Sequence, residues 1–322
     1  MNKYLIILLL AVIVVSGCTS RPAKQNFQEG LVINSFDVSP LSVRDGELVI
    51  FGLDVENIGG TTATNAQVDL YGVENQWRDS TGSLVQDTQT KELGTLRPPD
   101  MSRNVPGQFK LVQWQLMTPS IPEGITHNVP VEARVSYDYK TNGYIDIPAI
   151  SEAEFNRKRM NNEQVDLPAV LVSQGPITMT MDQKFSPIRV DMSDTTTNEQ
   201  QWPLRIIFKN VGQGFPITPE TNDNFIGSAG GRLTGTIKLT GAGNPQFSDC
   251  LGFTSGTEID LDSADILPRL RDPTGDFPVA CTISIDKTSW GDSRPEDRIK
   301  LTFELAYRYY VKSEATVIVA GR

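Results

Sequence analysis

Val131-Glu-Ala-Arg-Val-Ser-Tyr-Asp-Tyr139 alternates apolar and polar side chains over nine residues without a break. A period of two turns successive side chains to opposite faces, so this stretch reads as a strand with one buried face. The same pattern recurs on either side of it. Val49, Phe51, Leu53 and Val55 alternate with Ile50, Gly52, Asp54 and Glu56, and further strands are expected at Leu31 to Val38, Ala66 to Tyr71, Phe109 to Met117 and Tyr144 to Ile147. Asp45-Gly46 and Gly59-Gly60 mark turns, and Asn142-Gly143 between Tyr139 and Tyr144 predicts a tight hairpin. Strands resume at Ile177-Thr-Met-Thr-Met-Asp182 and continue at Leu204 to Lys209, Arg232 to Thr240, Val279 to Asp286, Leu301 to Tyr310 and Ala315 to Val319. Between the two series, Glu152 to Met160 is dense in helix formers and does not alternate.

The second series repeats the first. Val55-Glu-Asn57-Ile-Gly59-Gly60 matches Phe208-Lys-Asn210-Val-Gly212-Gln-Gly214, and Val135-Ser-Tyr137-Asp-Tyr139 matches Leu305-Ala-Tyr307-Arg-Tyr309. Many short antiparallel strands with glycine-rich turns must close as a sandwich or barrel. The expected fold is therefore all-β: a tandem pair of sandwiches over 31–150 and 177–322, each folding alone, joined by a linker at 151–176 that holds one short helix.

Composition narrows the chemistry. The 322 residues carry 29 Lys and Arg against 39 Asp and Glu, a net of −10, which leaves no basic surface to release counterions from a nucleic acid. Apolar residues at 39%, with 26 glycines, exclude global disorder. The single histidine, His127, offers no His pair to zinc and at most one base to a nucleophilic serine or cysteine.

Lys3 and the apolar run Leu5 to Val15 have the form of a secretory signal, too short at eleven residues for the ~20 of a membrane span. The run stops at Val15-Ser16-Gly17-Cys18, which resembles the lipobox of prokaryotic lipoproteins. That resemblance implies a signal peptide at 1–17, a lipid on Cys18, and a polar tether over 18–30 holding the protein at the outer face of a membrane. The two remaining cysteines, Cys250 and Cys281, are then expected to pair as a disulfide, because an exported chain sits where disulfides persist.

Leu53-Asp-Val-Glu-Asn57-Ile-Gly-Gly-Thr-Thr-Ala-Thr-Asn65-Ala-Gln-Val-Asp-Leu70 resembles immunoglobulin-like domains of the cell-adhesion-related (CARDB) kind, in which an alternating strand ends in an Asn-aliphatic-Gly turn before an Ala-x-Val-x-Leu strand. It covers about forty residues, and in the second copy it departs after Gly214, through Thr218 to Gly231. The resemblance implies two immunoglobulin-like sandwiches on a surface protein or lipoprotein of archaea or bacteria. It implies no reaction.

No constellation in the chain demands catalysis. His127 lies between strands with no Cys or carboxylate beside it. Ser284-Ile-Asp-Lys287 has the spacing of a serine–lysine pair, but on a strand the two side chains face apart. Gly227 to Arg232 and Gly241 to Gly243 fit no phosphate-binding motif, and Asp260, Asp262 and Asp265 lack the spacing of a calcium loop. Trp114, on a strand rich in aliphatic residues, is expected to plug the space between sheets. Trp77 and Trp290 sit in polar stretches and are the candidates for stacking on a glycan. Arg157-Lys158-Arg159 reads as a solvated helix face.

The sequence thus predicts a non-enzymatic surface lipoprotein without a cofactor or metal. It is bound to the membrane through Cys18 and serves adhesion, scaffolding or envelope assembly with a protein partner; nucleic acid is not expected. The alternative is an anchored binding protein for a glycan or peptide.

Overall fold

The computed structural model describes residues 28–218, 231–271, 275–291 and 294–322. The leader, Cys18 and most of the tether lie outside the described residues, as does most of the stretch from Thr218 to Gly231. Among the described residues no helix is long and apolar enough to cross a membrane.

The fold is all-β, built almost wholly of antiparallel strands. The first series is β1 (Leu31–Ser39), β2 (Ser42–Arg44), β3 (Leu48–Asn57), β4 (Ala63–Tyr71), β5 (Gln89–Leu96), β6 (Phe109–Met117) and β7 (Thr126–Ser151). Helix α1 (Glu152–Met160) and β8 (Ala169–Val172) follow. The second series is β9 (Ile177–Met181), β10 (Ile188–Val190), β11 (Glu199–Asn210), β12 (Phe215–Pro216), β13 (Leu233–Gly241), β14 (Gln246–Cys250), β15 (Glu258–Ser263), β16 (Asp276–Asp286) and β17 (Glu296–Ala320). Two short helices, α2 (Ile266–Arg269) and α3 (Lys287–Trp290), flank β16.

Among the described residues the strands form three sheets. One small sheet runs β1-β3-β6 and another β14-β16-β11-β9, while a ten-stranded sheet follows the path β15-β13-β17-β7-β4-β5. Strand for strand, β1, β3, β4, β5, β6 and β7 correspond in order and pairing to β9, β11, β13, β15, β16 and β17, so the repeat read from Asn57/Asn210 and the tyrosine pairs extends over both halves. Alternation does what period two requires: Val49, Phe51, Leu53 and Val55 are buried on the core face of β3, and Leu204, Ile206 and Phe208 are buried on β11.

Two expectations change. Asn142-Gly143 does not turn the chain; β7 runs straight through it, with Asn142 opposite Glu304 and Gly143 opposite Phe303. Glycine is needed there for room, because a Cβ would lie 2.5 Å from the Phe303 ring and 2.7 Å from the Leu171 carbonyl. The break expected between the strands Leu301 to Tyr310 and Ala315 to Val319 is likewise absent: all 25 residues of β17 pair with β7, from Glu296 opposite Ile150 to Ala320 opposite Thr126.

The two halves, for which separate folding is expected, share that ladder through the middle of the large sheet. They also exchange short strands: β2 of the first half pairs in parallel with the end of β17, and β10 of the second pairs in parallel with the end of β7. The linker keeps its helix, N-capped where the Ser151 hydroxyl accepts from the Glu154 N–H, but it then adds β8 to β7. The basic cluster on α1 is largely neutralised, Arg157 by Glu154 and Glu163 and Lys158 by Glu296.

Candidate functional site

The two tyrosine pairs meet at the centre of the β7–β17 ladder. Tyr307 lies opposite Tyr139 and Tyr309 opposite Tyr137, so the pseudo-twofold relating the halves passes between them, where Asp138 faces Arg308. The four rings contact one another edge-on or tilted at 5.8–6.4 Å between centroids. Aromatic quadrupoles favour such geometry over face-to-face stacking. On the opposite face of the sheet, buried Arg308 bonds Asp138 at 2.9 Å and the Ser136 hydroxyl at 3.1 Å, while the Asn65 side chain donates to Asp138 at 2.7 Å.

The hydroxyls tie this centre to both Asn-Gly turns. Tyr139 donates to the Gln174 carbonyl at 2.9 Å and accepts from the Thr61 N–H at 3.1 Å. Tyr309 donates to Asn210 Oδ1 at 2.9 Å, and Tyr307 shares a 2.7 Å bond with the Thr141 hydroxyl. Each turn is organised by its asparagine in the same way. Asn57 Nδ2 donates to the carbonyls of Thr61 (3.0 Å) and Leu96 (2.8 Å), and its Oδ1 accepts from the Gly59 N–H at 2.9 Å. Asn210 Nδ2 donates to Gly214 (3.2 Å) and Leu270 (3.1 Å), and its Oδ1 accepts from the Gly212 N–H at 3.1 Å. Asparagine suits this position because one short side chain supplies both donor and acceptor to the backbone of a reversing chain.

Glu29, at the mouth of β1, is the titratable group that the sequence did not single out. It is only 6% exposed; one carboxylate oxygen accepts from the Gln213 N–H, and the other, like the Tyr137 hydroxyl, is buried without a hydrogen-bond partner. Burial raises the Glu29 carboxyl above its ordinary range, opposed in part by the Gln213 bond. Burial also pushes the Tyr137, Tyr307 and Tyr309 phenols well up, so all three are neutral at physiological pH. Glu29 reaches from the first half to the second half's turn, just as the Gln174 carbonyl accepts from the Gly60 N–H of the first half's turn at 2.8 Å. The shape of the centre is that of a lock between halves.

The candidate residues from the sequence fall elsewhere. Cys250 and Cys281 are bonded, with a Cα separation of 4.3 Å; they are register partners on neighbouring strands, so the disulfide tacks β14 to β16. A disulfide fits an oxidising, extracellular setting. Trp77 and Trp290 do not offer faces for a sugar: they are 0% and 1% exposed. Trp77 packs edge-on against Phe51 at 5.3 Å, and the Trp290 Nε1–H donates to the Arg294 carbonyl at 3.0 Å. Polar neighbours in sequence misled here, because flanking residues of a turn reach solvent while the indole between them points inward. Trp114 is the expected plug, its Nε1–H reaching the Gln89 carbonyl of β5 in the facing sheet at 3.2 Å. Ser284 and Lys287 part as expected, the one donating to Glu199 at 2.8 Å and the other to the Asp194 carbonyl at 2.6 Å. His127 is exposed at the start of β7. No group of three potential metal ligands gathers among the described residues.

What the surface presents is strand edges. On β15 the edge is guarded by exposed Glu258, Asp260 and Asp262. On β14 it is closed by bridges from Phe247 to Gly256 and from Cys250 to Phe253. Strand β6 differs, being apolar on both faces: Trp114 and Leu116 point into the core, and Phe109 and Leu111 stand 61% and 68% exposed opposite Glu56 and Asp54 of β3. An open cleft of about 660 Å³ nearby is lined by Pro98, Pro99, Met101 and Arg97, with no Trp or Tyr.

No family model matches the chain, and no curated protein sequence does. Among solved structures, the C-terminal globular domain of an oligosaccharyltransferase from Pyrococcus abyssi aligns with 90% of this chain and 50% of its own, at 10% identity and a TM-score of 0.29. MSCRAMM ACE of Enterococcus faecalis, described as binding its ligands by a collagen hug, aligns with 90% of this chain and 95% of its own, at 9% identity and a TM-score of 0.20. The alkylpurine DNA glycosylase AlkC of Pseudomonas fluorescens aligns with 33% of this chain and 26% of its own, at 12% identity and a TM-score of 0.20. The chain thus spans about a quarter of the glycosylase and half of the oligosaccharyltransferase domain. Likenesses of this size assign no activity.

Proposed function

We propose that this chain is a non-enzymatic assembly or scaffolding protein of a prokaryotic, and specifically archaeal, cell envelope, held at the outer face of the membrane by lipid on Cys18. The observation that carries the proposal is the distribution of its polar chemistry. The buried Glu29 carboxylate, the Tyr307 phenol and the Arg308–Asp138 pair hold the two halves together, while an apolar strand edge faces outward. A body interlocked in this way keeps its surface in fixed geometry, which suits docking rather than turnover. The Cys250–Cys281 disulfide and the Val15-Ser-Gly-Cys18 signal support an exported location. The forty-residue resemblance to CARDB domains supports the surface assignment. Nothing favours the glycan alternative, since the two indoles it relied on are buried.

The test is expression of the full chain with its own leader, alongside a Cys18→Ser variant. The native chain is expected in the membrane fraction, with a mature mass that begins at Cys18 plus acyl chains. The variant should keep its leader or leave the membrane. A mature chain that starts beyond Cys18, or that carries no lipid mass, refutes the anchor.

A further inference from the structure

The repeat supplies an internal comparison. Strand β16 of the second half carries an added antiparallel strand, β14, on the edge away from β11. Its counterpart in the first half is β6, paired with β3 on one side. On its other side the chain makes one bridge, in which Arg78 and Met117 exchange both backbone bonds at 3.0 and 2.8 Å, and then turns away at Asp79. Pairing alternates along an antiparallel strand, so residues of the same parity as Met117 also aim their backbones outward. These are Gln115, Gln113 and Leu111. Among the described residues their N–H groups meet no partner, and the Gln113 carbonyl is met only by the Lys91 ammonium at 2.6 Å.

An edge of this length, with exposed Phe109 and Leu111 and without the carboxylates that guard β15, is a template for another strand. The outer face beside it is acidic. Asp54 lies opposite Leu111 and Glu56 opposite Phe109, and the Asp54 Oδ1 atom is buried without a hydrogen-bond partner. A strand added to β6 would therefore lay its outward side chains over Leu111 and Phe109 with their tips at two carboxylates. Long aliphatic stems ending in a cation fit both features, and the chain's net charge of −10 attracts them.

We infer that the β6 edge accepts an extended segment of a partner protein by strand addition, and that the segment presents Lys or Arg at alternate positions toward Asp54 and Glu56. The inference rests on the docking role proposed above and names the surface and the kind of partner. Lys91 occupies the place of the incoming strand at Gln113 and must give way to it.

The probe is a synthetic capped peptide alternating valine and lysine, with a valine–glutamate peptide as control, added to the purified full chain. Amide exchange is read at Leu111, Gln113 and Gln115. The lysine peptide should slow exchange there about tenfold or more, and the glutamate peptide far less. Gln113→Pro, tolerated on an edge because it removes only an outward N–H, should weaken binding about tenfold. Lys91→Ala should leave the fold intact and strengthen binding, which keeps the test open if the proline variant unfolds.

No slowing with either peptide overturns the inference, and equal slowing with both overturns its charge component. Slowing that appears without peptide and grows with protein concentration assigns the edge to a second copy of the chain and also overturns it. The anchor is tested separately: a lipidated chain with an inert edge loses only this inference, whereas a strand-binding edge on an unlipidated chain removes only the membrane assignment.

Discussion

Replacing Asn57 with alanine, and separately Asn210, measures whether the two halves are one thermodynamic unit. Asn57→Ala deletes three hydrogen bonds and strands the Leu96 carbonyl in a buried turn, while the Gly59 N–H keeps its second acceptor, the Gly30 carbonyl at 3.2 Å. At about 1–3 kcal/mol for the buried Leu96 carbonyl left unpaired and about 1 for each of the other two bonds, the loss is about 3–5 kcal/mol. Asn210→Ala also removes the acceptor of the Tyr309 hydroxyl and should cost about 1 kcal/mol more. The melting shift then depends on how much of the chain melts together. With an unfolding entropy of about 2.1 cal/mol/K per residue, a unit of roughly 280 residues shifts by about 5–8 °C, whereas a 120-residue half melting alone shifts by about 12–20 °C. Scanning calorimetry with the disulfide intact distinguishes the two. The shared β7–β17 ladder and the exchanged strands β2 and β10 predict one transition, moved by the smaller amount in both variants. Two transitions, of which Asn57→Ala moves only one and by the larger amount, would refute the interlock and restore independent halves.

Glu29→Gln is expected to stabilise the protein at pH 7. The amide keeps an acceptor for the Gln213 N–H without a buried charge. Because the folded carboxyl is raised above its unfolded value, the native state holds this proton more tightly; the contribution of Glu29 to stability is fully present at acid pH and is lost as pH rises through the folded value. The gap between variant and wild type, from urea unfolding at several pH values, should close on acidification; a pH-independent gap, or a destabilised variant, contradicts the assignment. Reducing Cys250–Cys281, which closes a separation of 31 residues, should cost about 3–4 kcal/mol by chain entropy and deprotect the amides of β14 first. Non-reducing peptide maps of protein from the cell surface should show the bonded pair, and free thiols at both positions would refute it.

Local order was legible in the residues themselves. Alternation placed the strands and their core faces, the Asn-Gly endings and tyrosine pairs exposed the repeat, and the cysteine count paired Cys250 with Cys281. Another repeated signal, Ser39-Pro-Leu-Ser-Val43 against Ser186-Pro-Ile-Arg-Val190, was there to be found and marks the segments leading into the exchanged strands. The apolar residues on both faces of β6, Phe109 and Leu111 against Trp114 and Leu116, were the legible sign of an unguarded edge. Period two states which way a side chain points but not which strand lies beside it, so β7 and β17 could be read as hairpins when they are the shared spine of both halves. Glycine serves turns and close approaches alike, and only the Phe303 ring above Gly143 shows which was meant. Burial of Trp77, Trp290 and Glu29 is likewise set by residues distant in sequence, since a side chain's exposure depends on what the fold brings over it.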